Sequence, residues 1–213
     1  MLPYYKTIQG YGEAEIVIKR SRFIGYAKPA ATEEEAVAFI EEIKQKHKMA
    51  THNCSAYLTG ERDQFQKASD DGEPSGTAGK PILEVIKNQG LKYTAVVVTR
   101  YFGGIMLGAG GLVRAYTDGA VAGLEAAGPV YKVLHREIEL EIDYNWHGKL
   151  ENEMINIGMR RGETLFTDKV TLTTFPLEAE ADQWVARVTD LTAGQAKMNR
   201  KDALYMDHDA LPF

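Results

Sequence analysis

The sequence predicts an α+β fold in two domains, and three observations support this prediction. Residues 1–128 alternate between segments with strand-like and helix-like spacing of apolar residues. Residues 129–213 follow the order strand, helix, strand, strand, helix, strand, which is the split β-α-β arrangement. Gly128-Pro129 lies between the two patterns and stops the longest predicted helix. We therefore expect one domain over residues 1–128 and another over residues 129–213.

The N-terminal domain is predicted to begin with a hairpin and a capped helix. Glu13–Lys19 and Phe23–Ala27 are typical of two paired strands. Thr32 and Glu35 form a capping box, after which apolar residues recur at helical spacing. This pattern predicts a helix that extends to about Lys48.

The remaining elements of this domain alternate with glycine-rich segments. Cys54–Leu58 is a predicted strand, and a helix is expected from Pro81, because proline suits the first helical turn. The continuous run Ala95–Val98 is typical of a strand that is covered on both faces. A long helix is then predicted from about Gly110 to Ala127.

The C-terminal domain begins with a clear strand pattern. Glu137–Tyr144 alternates polar and apolar residues, which predicts a strand with one solvent-facing side. Helical spacing follows from Trp146 to Ile157. Two strands, a helix and a last strand complete the predicted order, at Arg160–Phe166, Lys169–Phe175, Trp184–Leu191 and Ala196–Tyr205.

The composition is typical of a globular protein of the cytoplasm. Apolar residues make up 44% of the chain and charged residues 26%, and no run reaches the roughly 20 apolar residues of a membrane span. The first residues lack the apolar region of a secretory signal. The single cysteine excludes an internal disulfide and favours a reducing compartment. We therefore expect a cytoplasmic location and no membrane partner.

The net charge of −5 is unevenly distributed along the chain. Residues 1–128 contain 15 basic and 15 acidic residues, whereas residues 129–213 contain 10 basic and 15 acidic residues. Proteins that bind nucleic acid normally present a basic face. The sequence therefore argues against general capture of RNA or DNA by the C-terminal half, and it leaves a local basic patch possible in the N-terminal half.

Two tracts rich in glycine and polar residues indicate a binding surface. The first tract is Ser69–Pro81 and the second tract is Arg100–Tyr116. Clustered glycine is costly to order, so it indicates special backbone angles or close approach to another molecule. The second tract opens a helix whose free N–H groups can bind an anion, and Arg100 and Arg114 can add hydrogen bonds to phosphate. The alternative is that its glycines only let the helix pack closely on the sheet.

The first tract contains Gly79-Lys80 but is not a P-loop. That motif needs glycine where Pro74 stands, and it needs a magnesium-binding hydroxyl where Pro81 stands. The residues that can contact an anion here are Ser75, Thr77 and Lys80.

Three carboxylates of the first tract have two possible roles. Asp70, Asp71 and Glu73 can hold a hard cation such as magnesium through oxygen ligands. Alternatively, the segment is a turn in which the aspartates bond to their own backbone. No other cofactor is expected.

Further candidates lie beside the tracts. His52 and Cys54 are two residues apart on a predicted strand, too far for a direct hydrogen bond, so we interpret Cys54 as a core thiol rather than a nucleophile. His52 and Asn53 are candidates for the polar surface. Tyr101 and Phe102 can stack on exposed bases, or they can belong to the core.

The two tracts and the segment Ala50–Tyr57 together resemble the IMPACT/YigZ family, in its bacterial two-domain branch. The resemblance places three blocks in the correct order along about 110 residues. It implies an N-terminal domain similar to the second domain of a small-subunit ribosomal protein. It also implies a ferredoxin-like C-terminal domain, similar to the last domain of a translocating elongation factor.

The resemblance also suggests a function. Eukaryotic members of this family regulate translation initiation through an extra N-terminal domain that binds a partner. Only about 20 residues precede the shared region here, so we do not expect that domain in this protein. Met106 departs from the family pattern, in which lysine is common, and this argues against a cationic pocket at that position.

We therefore expect a cytoplasmic, non-enzymatic factor that regulates translation by binding RNA or a ribosome-associated protein. The alternative is an enzyme that acts on a nucleotide or a phosphorylated small molecule with magnesium. The predicted binding surface is a groove, and its candidate residues are His52, Asn53, Ser75, Thr77, Lys80, Arg100, Tyr101, Gly103, Gly104, Gly110, Gly111 and Arg114.

Overall fold

The computed structural model describes residues 1–212 and shows a mixed α+β fold, as predicted. The chain forms two compact units. The N-terminal unit contains Tyr5–Tyr131 together with Met1, and the C-terminal unit contains Leu2–Tyr4 and the residues from Lys132 onward. The domain boundary expected after residue 128 stays a prediction.

The N-terminal unit is built mainly on one antiparallel sheet. Its strands lie in the order β2-β3-β6-β4-β5, with every neighbouring pair antiparallel. The strands and helices of this part of the chain are β1 (Tyr4–Ile8), β2 (Gly12–Ile18), β3 (Ser21–Pro29), α1 (Glu33–Lys46), β4 (His52–Thr59), β5 (Phe65–Ser69), α2 (Gly79–Asn88), β6 (Thr94–Tyr101) and α3 (Ala109–Ala127).

The central strand β6 is buried on both faces, which confirms the interpretation of its β-branched run. Val96 and Val98 face a core that includes residues of α2 and α3, whereas Ala95 and Val97 face a second core that includes residues of α1. Since side chains alternate along a strand, a strand between two helical layers has no polar face. Burial continues along β6 as far as Arg100.

Helix α3 packs on β3 through glycine. A Cβ atom added to Gly25 would lie 1.9 Å from the carbonyl oxygen of Gly119, and one added to Gly123 would lie 2.7 Å from the carbonyl carbon of Gly25. The helix and strand backbones are therefore in direct contact. This contact holds α3 against β3.

The sequence failed to predict two strands and misplaced the start of a third. The unpredicted strands are β1 and β5; all five residues of β5 are exposed or partly exposed, so no apolar alternation marks it. Strand β7 covers Pro129–Ile142, whereas the prediction was Glu137–Tyr144. The predicted end was also wrong, because Asp143 precedes helix α4 and Tyr144 is its first residue.

The C-terminal unit contains a second sheet with two helices. In this sheet β7 pairs with β9 and with β10, β8 pairs with β9, and the chain order from β7 onward is β-α-β-β-α-β. Ile138, Leu140 and Ile142 point from β7 into a core shared with both helices. The ferredoxin-like assignment stays a prediction. The elements are β7, α4 (Tyr144–Asn156), β8 (Arg160–Phe166), β9 (Val170–Phe175), α5 (Ala181–Leu191) and β10 (Lys197–His208).

None of the helices in residues 1–212 is long and apolar enough to cross a membrane.

Candidate functional site

The two glycine-rich tracts lie at one end of the N-terminal sheet. His52 begins β4 and pairs with Arg100 near the end of β6, so the second tract starts beside the first residues of β4. The first tract starts at the end of β5, where Ser69 pairs with Ser55 of β4. Thr51 accepts a hydrogen bond at Oγ1 from the Phe102 N–H over 3.0 Å. The sheet topology therefore brings both tracts and the start of β4 together.

Asp70 organises the first tract. Its carboxylate accepts hydrogen bonds from the backbone N–H groups of Gly76, Ala78 and Gly79 at 2.8, 3.0 and 2.8 Å. Two of these donors lie at the start of α2, whose own N-cap residue, Ala78, supplies no side-chain acceptor. Asp70 therefore caps α2 from a position eight residues upstream of the N-cap.

The same hydrogen bonds determine the acidity of Asp70. Partial burial of the carboxyl raises its pKa, but the three N–H donors outweigh this effect and hold the pKa below its usual value. The pKa of Asp70 is lower in the folded protein than in the unfolded chain, so ionised Asp70 stabilises the fold at pH values above its pKa in the unfolded chain. This stabilisation is lost as the pH falls through the folded pKa.

We expect Asp70→Ala to lower the free energy of unfolding by about 2 kcal/mol at neutral pH, because three backbone donors lose a charged acceptor. Urea denaturation at pH 7 and pH 3 measures this effect, and the loss should be smaller at pH 3. Asp118→Asn is the matched control, since Asp118 is exposed on α3. If the urea midpoint of Asp70→Ala equalled that of Asp118→Asn, the role of Asp70 as the cap of α2 would be contradicted.

A buried ion pair links the first tract to the second. Glu73 Oε1 accepts hydrogen bonds from Arg100 Nη1 at 2.6 Å and from the Tyr116 hydroxyl at 2.7 Å. Only 4% of the Glu73 side chain and 7% of the Arg100 side chain are exposed. The Arg100 guanidinium also lies 5.4 Å from the ring centre of Phe23 and 5.3 Å from that of Phe102. Arg100 therefore holds the two tracts together instead of facing solvent.

The carboxylates proposed for magnesium are occupied by protein partners. Asp70 bonds the backbone of its own tract, Asp71 accepts from the Asn53 N–H at 2.6 Å, and Glu73 is paired with Arg100. Within residues 1–212, no group of three His, Cys, Asp or Glu residues is placed to hold a metal ion. The magnesium site stays a prediction, and the geometry favours the alternative in which these residues form a turn.

The start of β4 contributes supporting residues. Asn53 is buried; its Oδ1 accepts from the Thr99 hydroxyl at 2.7 Å, and its Nδ2 donates to the His47 carbonyl at 3.2 Å. His52 is partly exposed, and its Nδ1 lies 2.8 Å from the Asp71 carbonyl oxygen. Of this pair, only His52 reaches the surface.

Cys54 is a core thiol, as interpreted from the sequence. It is fully buried, and its Sγ donates to the Asp70 carbonyl oxygen at 3.0 Å. Burial raises the pKa of the Cys54 thiol to about 12, so the thiolate is scarce at neutral pH. A nucleophilic role is therefore disfavoured.

The exposed part of the second tract is its glycine loop and the beginning of α3. Gly104, Gly108 and Gly110 are exposed, and Gly108 precedes α3 with φ +70°, a conformation that favours glycine. The first turn of α3 has neither a side-chain cap nor an acidic residue. Arg114 is exposed one turn further on and forms no ion pair within residues 1–212. Uncapped N–H groups thus lie near a free cation.

A groove of about 350 Å³ lies between α2 and α3. Lys80 and Gly76 line it from the first tract, and Val113 and Thr117 line it from α3. Of the other two anion candidates in the first tract, Ser75 is exposed. Thr77 is buried, and its hydroxyl donates a hydrogen bond to the Pro74 carbonyl oxygen. Lys80 is thus the exposed cation that the first tract contributes to the groove.

The aromatic candidates differ in exposure. The Tyr101 hydroxyl lies 2.8 Å from His47 Nδ1. The Arg22 guanidinium lies 5.3 Å from the centre of the Tyr101 ring. Phe102 has 48% of its surface exposed. Phe102 is therefore better placed than Tyr101 to stack on a base.

Sequence reasoning missed the pairing of Glu73 with Arg100 and the role of Ser21, whose Oγ accepts from the Gly103 N–H at 3.1 Å. These partners are 27 and 82 residues apart, so no local spacing connects them. The one available signal was that Arg100 follows directly on the buried run of β6.

Comparisons with known proteins agree with this architecture. A family model described as the Impact N-terminal domain matches residues 19–124, and a model described as a domain of unknown function, DUF1949, matches residues 140–195. A crystal structure described as that of a hypothetical protein matches with a TM-score of 0.60 at 29% sequence identity. That match covers 95% of this chain and 99% of the other.

Two curated bacterial proteins are also similar. The chain is 42% identical over 130 residues to the IMPACT family member YigZ of Escherichia coli (strain K12), which covers 60% of this chain and 64% of that protein. It is 47% identical over 207 residues to the IMPACT family member YvyE of Bacillus subtilis (strain 168), which covers 97% of this chain and 95% of that protein. The chain therefore belongs to the IMPACT family.

Proposed function

We propose that this protein is a non-enzymatic factor of the translation system that binds RNA through the exposed end of its N-terminal unit. The observation that carries the proposal is the uncapped start of α3, which Arg114 follows on the same helix. Backbone N–H groups at a helix start attract phosphate, and an unpaired arginine beside them adds a charge-assisted hydrogen bond. The role in translation rests on the family resemblance.

The proposed contacts divide between phosphate and base. We assign phosphate contacts to Lys80, which lines the groove between α2 and α3 together with Glu84, and to Arg114, which is exposed on α3 outside the residues that line the groove. The exposed ring of Phe102 offers a stacking surface for an unpaired base. The sequence suggested Arg100 as a phosphate contact. We instead assign it a positioning role, because its hydrogen bond to Glu73 links the first tract to the second tract.

The geometry gives less support to a magnesium-dependent enzyme. Its three candidate ligands already bond to backbone or side-chain groups, so binding a cation would require those bonds to break. Cys54 is also disfavoured as the nucleophile of such an enzyme, because its thiol is buried and its pKa is raised to about 12.

We expect Lys80→Ala/Arg114→Ala to weaken binding to a short single-stranded RNA in a sequence-independent way. The slope of log K against log salt should fall by about 1.5, because two phosphate contacts are lost. Fluorescence anisotropy at several salt concentrations measures both quantities. Lys67→Ala/Lys87→Ala is the matched control, because it removes the same charge from exposed positions in β5 and at the end of α2.

An RNA affinity unchanged in the Lys80→Ala/Arg114→Ala variant would contradict the proposal. The protein could also co-purify with a ribosome-associated protein after nuclease treatment while showing no affinity for RNA at low salt. That result would show that the partner is a protein rather than RNA.

A further inference from the structure

The turn between β2 and β3 presents two cations that lie outside the candidate surface predicted from the sequence. Ile18 pairs with Ser21, so Lys19 and Arg20 form a two-residue hairpin loop. Both side chains are exposed, and neither forms an ion pair within residues 1–212. The neighbouring Arg22 is different, since it donates two hydrogen bonds to Glu15.

The backbone of this turn is unfavourable for the residues that occupy it. Lys19 has φ 45° and Arg20 has φ 65°, so both lie in the left-handed region. Two-residue hairpins with two positive φ angles strongly prefer Asn-Gly, because the Cβ atom of other residues lies close to the following carbonyl oxygen, whereas glycine has no Cβ and asparagine forms local hydrogen bonds. Lysine and arginine therefore occupy this turn at a conformational cost. Such strain is often found where a side chain has a function.

The turn is held against the second tract. A Cβ atom added to Gly103 would lie 2.1 Å from the carbonyl carbon and oxygen of Arg20, so only glycine permits this backbone contact. The Gly103 N–H also donates to Ser21 Oγ at 3.1 Å, one residue beyond the turn. The hairpin tip thus has a fixed position beside the loop that leads to α3.

We propose that Lys19 and Arg20 form a second phosphate contact for RNA, which extends the surface of Lys80 and Arg114 across the glycine loop. This inference rests on the proposed function. The RNA backbone carries a charge at every nucleotide, so a strand that follows the surface meets the hairpin tip as well as the helix start. The hairpin tip fits phosphate better than it fits a base, since both of its side chains are cations without aromatic neighbours in the loop.

The test replaces the strained pair by the sequence that the turn prefers. In the full chain, Lys19→Asn/Arg20→Gly should raise the urea midpoint of unfolding, because the backbone cost is removed. The same variant should bind a short single-stranded RNA more weakly, with a salt slope lower by about 1.5. Lys67→Asn/Lys87→Asn, which removes equal charge elsewhere, should leave both the RNA affinity and the salt slope near those of the unmodified protein.

The outcomes separate this inference from the proposed function. If Lys80→Ala/Arg114→Ala weakens RNA binding and Lys19→Asn/Arg20→Gly does not, the hairpin contact is wrong and the proposed function stands. If the unmodified protein binds no RNA at low salt, both are wrong. Lys19→Gln/Arg20→Gln removes the charge and keeps long side chains in the turn; RNA affinity unchanged in this variant would also overturn the inference.

Discussion

Glu73→Ala is expected to destabilise the protein by about 3–5 kcal/mol, because it leaves the guanidinium of Arg100 buried without a counter-charge. The Arg100 side chain is 7% exposed, and its Nε already has no hydrogen-bond partner within residues 1–212. The Tyr116 hydroxyl would lose its acceptor in the same variant. Urea denaturation of the full chain, followed by circular dichroism, measures the change.

The exposed ion pair of Arg22 with Glu15 provides the control. Its side chains are 51% and 38% exposed, so Glu15→Ala should cost less than about 1 kcal/mol. The double variant Glu73→Leu/Arg100→Met removes both buried charges, and its loss should be smaller than that of Glu73→Ala alone. Equal losses for Glu73→Ala and Glu15→Ala would show that the buried pair does not link the tracts.

Gly25→Ala is expected to lower the free energy of unfolding by about 3 kcal/mol or more, which is at the upper end of overpacking effects. The added methyl group would lie 1.9 Å from the Gly119 carbonyl oxygen, and this obstacle is backbone rather than a movable side chain. Helix α3 must therefore shift away from β3. Thermal unfolding followed by circular dichroism reports the loss.

Gly110→Ala is the matched glycine variant. Gly110 also belongs to α3, but a Cβ atom there would meet nothing within 4 Å. Alanine should therefore raise stability by up to about 1 kcal/mol, since it restricts the unfolded chain. Similar effects of the two substitutions would contradict direct backbone contact between α3 and β3.

Elements with a local signature could be predicted from the sequence. The capping box predicted α1, and the structure shows the Glu35 N–H donating to Thr32 Oγ1. The continuous apolar run predicted β6 and its burial on both faces. Helix α3 begins and ends within one residue of its prediction, because Gly128 stops it with φ +73°.

Elements defined by tertiary pairing could not be predicted in this way. Strand β5 has a polar, exposed sequence, and only its register with β4 makes it a strand. Strand β7 begins at Pro129, the second residue of the Gly128-Pro129 pair that is typical of a domain boundary. In both cases the partner strand, rather than the local composition, determines the structure.

The candidate site shows the same division. Gly104 and Gly108 are exposed in the loop before α3, and the candidate cations Lys80 of α2 and Arg114 of α3 are exposed as well. Arg100 has the same charge, but its position inside a doubly covered strand places it next to Glu73. Residue type alone did not distinguish a surface arginine from a buried one. The hairpin cations Lys19 and Arg20 were missed because they are distant in sequence from both tracts.

The most direct test of the account is an amide NMR titration of the isotope-labelled full chain with a short single-stranded RNA at low salt. The central claim is that the exposed end of the N-terminal sheet receives the phosphate backbone. We expect the largest shift changes at Gly76–Lys80 and Gly103–Arg114, with a second group at Lys19 and Arg20. Shift changes confined to other regions, or none at all, would contradict the claim.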